Sequence, residues 1–291
     1  MNNSNTTIRK LQFLVLMASF GCLGPILRAI TLPVPVIVCL RAWLAAIAIV
    51  LFILLSRRHP DREGIAVCFK PAAVSGILLA ADWIGLFSAY NYTTIATATV
   101  CYYIVPILVL IAAPFVLGER FTRRHAVCTL IAFGGMVLVS GAVQNGLPAL
   151  SELRGILFAL FGAAAYAAII LINRRFPKGD PFLRTALQLS TAALFTTPYI
   201  LSTTDLGTLE FTSQNILLLL VLGVGLTAIT YIAYFSLILL IPVRTIAIFS
   251  YADPVAAVLL SIFFLGEPTS VFEISGAALI ILAAIAAEYR S

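Results

Sequence analysis

The stretch CYYIVPILVLIAAPFVLGER, Cys101–Arg120, returns 148 residues later as FSYADPVAAVLLSIFFLGEP, Phe249–Pro268. In each copy a proline stands 12 residues before a glycine and 13 before a glutamate: Pro106, Gly118 and Glu119, then Pro254, Gly266 and Glu267. Tyr103 and Tyr251 fall in the same register, each three residues before its proline. So apolar a run, with a helix breaker inside and Leu-Gly-Glu at its end, reads as an interrupted membrane helix written twice.

Charged residues make up 10% of the 291-residue chain and hydrophobic ones 62%, with mean hydropathy +1.08. A soluble domain carries about 25% charged residues. A bilayer core about 30 Å thick needs about 20 apolar residues per helix. Ten such runs occur, roughly 11–31, 34–55, 71–90, 94–117, 123–142, 151–173, 181–201, 214–240, 243–265 and 270–288. The loops between them leave no room for a soluble domain. The fold class is therefore an all-α polytopic membrane protein with ten transmembrane helices.

The net charge of +6 follows topology and not a nucleic-acid partner. With the N-terminus in the cytoplasm, 15 of the 18 Lys and Arg face inward; the exceptions are Arg28, Arg41 and Arg154. This is the positive-inside bias. The five cysteines are an odd number, four of them in predicted spans, and read as small packing residues and not as a disulfide framework. The first span lacks a clean cleavage site and reads as a retained helix. The sequon at Asn91 has meaning only in a eukaryotic secretory membrane.

The chain divides near Val143–Pro148 into two five-helix repeats, 1–145 and 146–291. Five is odd, so the second repeat enters the membrane from the opposite side. The loop after the fourth helix carries Arg120, Arg123 and Arg124, which suits the inside; its counterpart carries Glu267 and Glu273, which suits the outside. Inverted repeats are a recurring transporter architecture, with the binding site near the midplane.

Ten helices in two halves, each with a mid-helix proline and a Leu-Gly-Glu ending, resemble the drug/metabolite transporter superfamily, EamA type. Arg41 in LRAWLAA and Gln188 in LQLSTAA stand where that family often places Arg and Gln. Within it the chain looks most like bacterial YddG-type amino-acid exporters. One departure is Cys128, nine residues after its glutamate, where the second half has Gly276. The resemblance implies a cofactor-free exporter of small metabolites, aromatic or neutral amino acids above all, in the bacterial inner membrane with both termini cytoplasmic. Export of drugs or other metabolites is the alternative.

The motif residues suggest where chemistry would sit. At 1.5 Å per residue, each proline lies about 20 Å from the glutamate end of its helix. It frees the carbonyl four residues earlier, that of Tyr102 or Ser250, which makes either a binding feature or a packing kink; Pro106 and Pro254 become hinge candidates. Glu119 and Glu267 read as structural, each after a helix-ending glycine and before the dipole of the next helix. Asp82, Asp253 and Arg41 each cost about 2.5–3.5 kcal/mol at the bilayer centre and should face the bundle interior. Arg41 and Asp82 form a structural pair, or a carboxylate serves a substrate or proton pathway; both readings stand. Trp83, Tyr102, Tyr103, Tyr166, Tyr231 and Tyr251 offer apolar faces with hydrogen-bonding tips suited to small zwitterions. Tyr90 belongs either with them or in the interfacial belt.

Phosphate-bearing substrates are disfavoured, because no lysine lies within a span. His59 falls in a loop and His125 at the loop end of its span, so any proton coupling would rest on Asp82 or Asp253. No metal-binding motif and no nucleophile with its base occur, so an intramembrane enzyme is disfavoured. The expected partners are a small-molecule substrate and the lipid bilayer.

Overall fold

Every regular element among the residues described by the computed structural model is helical. Those residues are 3–20, 26, 27, 29–56, 62–119, 122–145, 148–175, 180–260 and 270–288. The principal helices are α1 (Asn3–Phe20), α2 (Val34–Leu55), α3 (Arg62–Ala89), α4 (Ile95–Tyr102), α5 (Val105–Leu117), α6 (Arg123–Val139) and α7 (Leu153–Arg174). They continue with α8 (Pro181–Thr203), α9 (Ser213–Leu220), α10 (Thr230–Leu237), α11 (Val243–Phe249), α12 (Ala252–Leu260) and α13 (Val271–Glu288). Among the described residues, five stretches are long and apolar enough to cross a membrane: Val34–Leu55, Glu63–Ala89, Thr97–Leu117, Leu150–Arg174 and Ser213–Leu237. The most exposed large side chains include Phe115 at 87% and Leu55 at 82%, as expected where the surrounding solvent is hydrocarbon.

Short polar residues start these helices by satisfying backbone N–H groups that have no partner within the helix. Thr94 accepts from the Thr97 amide at 3.1 Å, Asp180 from Phe182 at 2.7 Å, and Thr212 from Asn215 at 3.2 Å. Pro181 follows Asp180 in the first turn, where its missing N–H costs nothing.

The two repeated stretches are broken outright. Tyr103 and Ile104 separate α4 from α5; Ser250 and Tyr251 separate α11 from α12. Pro106 then sits in the first turn of α5, and Pro254 in the first turn of α12. The first of these interrupted helices ends at Gly118, whose φ of 69° is left-handed. Gly266, Glu267 and Pro268 lie outside the described residues. A third irregularity is a π-helical segment, Val221–Ile229, between α9 and α10. Its wider turn lets the Thr227 hydroxyl donate to the Leu222 carbonyl at 2.7 Å.

Packing around the centre uses small residues, since lipid supplies little hydrophobic drive for helices to associate. α3 packs against α7 and α8, α8 against α2, and α6 against α13. At the α3–α7 crossing a Cβ on Gly85 would fall 2.9 Å from the Gly162 nitrogen, and one on Gly162 would fall 3.0 Å from the Asp82 carbonyl. Only glycine allows this approach, which sets α7 against the backbone of Asp82.

Candidate functional site

Asp82 and Trp83 come from the C-terminal third of α3, Arg41 from α2, Tyr102 from the end of α4, Tyr103 from the first break, and Tyr166 from α7. With Tyr90, Pro106, Tyr231, Ser250 and Asp253 they line one cavity of about 260 Å³. Cavities of roughly 300–1,000 Å³ take drug-sized ligands, so this one suits a single small metabolite. Eleven of the residues singled out from sequence thus meet in one place, drawn from both halves of the chain. Met17, Phe20, Leu27, Leu86, Phe87 and Val105 complete the wall. Those six carry no charge and, Val105 aside, lie outside the repeated stretch; only the folded arrangement reveals them.

The charged groups are deeply set. Asp82 is 2% exposed and Arg41 7%. The Asp82 carboxyl interacts with the Tyr102 hydroxyl and lies in the field of Arg41, yet its Oδ1 has no hydrogen-bond partner. Arg41 Nε is likewise buried and unpartnered, and its guanidinium carbon stands 5.0 Å from the centre of the Trp83 ring. That distance is within cation–π range. The second carboxylate is better satisfied: Tyr103 donates its hydroxyl to Asp253 Oδ2 at 2.6 Å.

Tyr166 stacks on Tyr102 at 6.2 Å and on Tyr234 at 6.4 Å, and Tyr234 contacts Phe13 at 5.8 Å. This chain of rings ties α4, α7, α10 and α1 together beside the site. Tyr90 meets Phe87 edge-on at 6.0 Å. Ser250 lines the cavity but donates its hydroxyl to the Ile246 carbonyl at 2.8 Å.

Two expected members are elsewhere. Tyr251 is fully buried behind the wall, where it stacks on Tyr103 at 6.3 Å and donates to the Tyr103 carbonyl at 3.1 Å. Pro254 is buried with it and does not reach the cavity. The cause is the break before α12, which resets the helical phase, so a face projected through Ala247, Tyr251 and Pro254 as one continuous helix does not exist. Gln188 also lies away from the cavity, buried within α8.

Glu119, expected to cap the helix that follows it, meets other partners instead. Its Oε1 pairs with Arg174 Nη2 at 2.5 Å, and its Oε2 accepts from the Val243 amide at 3.2 Å. It therefore caps α11, in the other half of the chain, while α6 takes its cap from Thr122, which accepts from His125 at 3.4 Å. Arg174 adds a bond to the Ile238 carbonyl at 2.8 Å. Four helix ends meet there, with Glu119 about 20 Å along α5 from the cavity. Glu267 lies outside the described residues.

Comparison with known proteins places these features in a family. The model of the EamA-like transporter family matches residues 10–141 and 153–287. The chain is similar to an uncharacterized transporter, YxxF, of Bacillus subtilis (strain 168), with 24% identity covering 93% of this chain and 86% of that one. It is also similar to the aromatic amino acid exporter YddG of Ancylobacter novellus, with 27% identity over 60% of each chain. A crystal structure of another protein shares the fold, with TM-score 0.83 at 22% identity, covering 96% of this chain and 97% of the other.

Proposed function

The chain belongs to the EamA-like transporter family, a family of multi-pass membrane transporters, and from that premise we propose that it exports amino acids, aromatic and neutral ones foremost. The observation that carries the reading is the 260 Å³ cavity, where Arg41, Asp82 and Asp253 share a wall with Trp83 and five tyrosines. Aromatic faces accommodate apolar side chains and attract ammonium groups, while buried charges hold the polar end. Similarity to a relative named as an aromatic amino acid exporter points the same way.

Transport proceeds by alternating access between two inverted repeats, 1–145 and 146–291, in a bacterial inner membrane with both termini cytoplasmic. The paired family-model segments and the distribution of Lys and Arg support this arrangement. The interruptions at Tyr103–Ile104 and Ser250–Tyr251 are the flexion points, because a helix with two residues out of helical conformation bends there at least cost. Tyr103 and Asp253 bond across them and couple the two breaks.

Counterflow in proteoliposomes loaded with unlabelled amino acids tests the substrate. Accumulation of labelled phenylalanine or tyrosine is the expected result. Movement of sugars or phosphorylated sugars, with no amino acid exchanged, would overturn it.

A further inference from the structure

Two buried charges of opposite sign line the cavity, and neither is fully satisfied. Asp82 Oδ1 and Arg41 Nε are both without a hydrogen-bond partner. An Arg and an Asp serving only to steady a helix contact would ordinarily close into a bidentate pair, because an unmatched buried charge is costly. Here the guanidinium stands instead over Trp83, at 5.0 Å, while the carboxyl keeps to Tyr102. Asp253 offers no comparable deficit, its Oδ2 being taken by Tyr103 at 2.6 Å. The wall thus presents one positive and one negative group side by side, each needing a partner of opposite sign.

We propose that Arg41 and Asp82 are a clamp for a dipolar ion, Arg41 taking the α-carboxylate of an amino acid and Asp82 its α-ammonium. Arg41, expected from sequence to be structural, becomes a specificity-determining residue. Trp83 fixes the guanidinium plane, and the rings of Tyr102, Tyr166 and Tyr231 receive the side chain. The soft terminal torsion of Asp82 brings either oxygen to the ammonium. A molecule carrying only one of the two charges leaves the opposite group buried and unpaired, so the site rejects both amines and carboxylic acids of the same shape.

This assignment rests on the amino-acid reading above, and the test separates the two. Counterflow of labelled phenylalanine is challenged with unlabelled phenylalanine, phenethylamine, which lacks the carboxylate, and 3-phenylpropanoate, which lacks the ammonium. Phenylalanine should compete and the other two should not. Asp82→Asn should raise the KM for phenylalanine on the order of 100-fold, as when a buried charge pair loses one partner, with the thermal midpoint little changed. In that variant 3-phenylpropanoate should become a competitor, a change of selectivity that a merely structural role would not produce. Equal competition by either half-molecule in the unaltered protein, or an unchanged KM in the variant, would overturn the clamp. Should folded, unaltered protein exchange no amino acid at all, the transport reading beneath it fails as well.

Discussion

Tyr103 and Asp253 show what one hydrogen bond does when it joins two distant stretches of chain. The hydroxyl and carboxylate meet at 2.6 Å although 150 residues separate them. Removing the hydroxyl leaves a carboxylate at membrane depth without that donor, a loss of about 1–3 kcal/mol. Tyr103→Phe should therefore lower the melting temperature of the detergent-solubilised protein by several degrees. A melting temperature equal to that of the unaltered protein would show that the bond is not made. The sequence already singled out Asp253, because an acid among apolar residues stands out. It could not name the partner, since nothing local encodes a contact across 150 positions. Tyr251 failed for a related reason: a face drawn at 3.6 residues per turn assumes an unbroken helix, and this helix is broken one residue before it.

Helices meet here through ends and glycines. Glu119 caps α11 and pairs with Arg174, whose side chain is 16% exposed against 28% for the glutamate. A lost cap costs about 1 kcal/mol, and a partly exposed ion pair adds about 0.2–1 kcal/mol. Glu119→Ala should thus destabilise the protein more than Glu119→Gln, which keeps an acceptor for the Val243 amide. Thermal unfolding of both variants would check the order, and equal midpoints would contradict the cross-half cap. At the α3–α7 crossing, Gly162→Val would drive a branched side chain into the Asp82 backbone, 3.0 Å from where its Cβ would lie. Loss of folded yield is expected, since two packed backbones cannot yield as a side-chain tip can. That Gly-Glu would serve a helix end was legible from turn chemistry. Which helix received the cap was not, because the short loop after Glu119 suggested its neighbour. The π-helical segment at Val221–Ile229 left no periodic signal distinct from an α-helix.

For the whole molecule, charge and hydropathy were informative from the start. Membrane character followed from a chain with 10% charged residues, because so few charges cannot cover a water-soluble surface. The Lys and Arg bias predicts the orientation: cytoplasm-active reporters fused at each terminus should both give signal, and a periplasmic signal from either would reverse the topology. The cavity's charged and aromatic members were visible as exceptions within apolar runs. Its apolar members, Met17, Phe20, Leu27 and Phe87 among them, were indistinguishable from lipid-facing residues until the helices were assembled. Amino acids are proposed to pass through this cavity. Their passage is tested most directly by phenylalanine counterflow in proteoliposomes holding the unaltered protein or Ser250→Trp, which places a bulky ring on the cavity wall. Accumulation is expected with the first and none with a folded second; equal accumulation through both would rule out passage by this route.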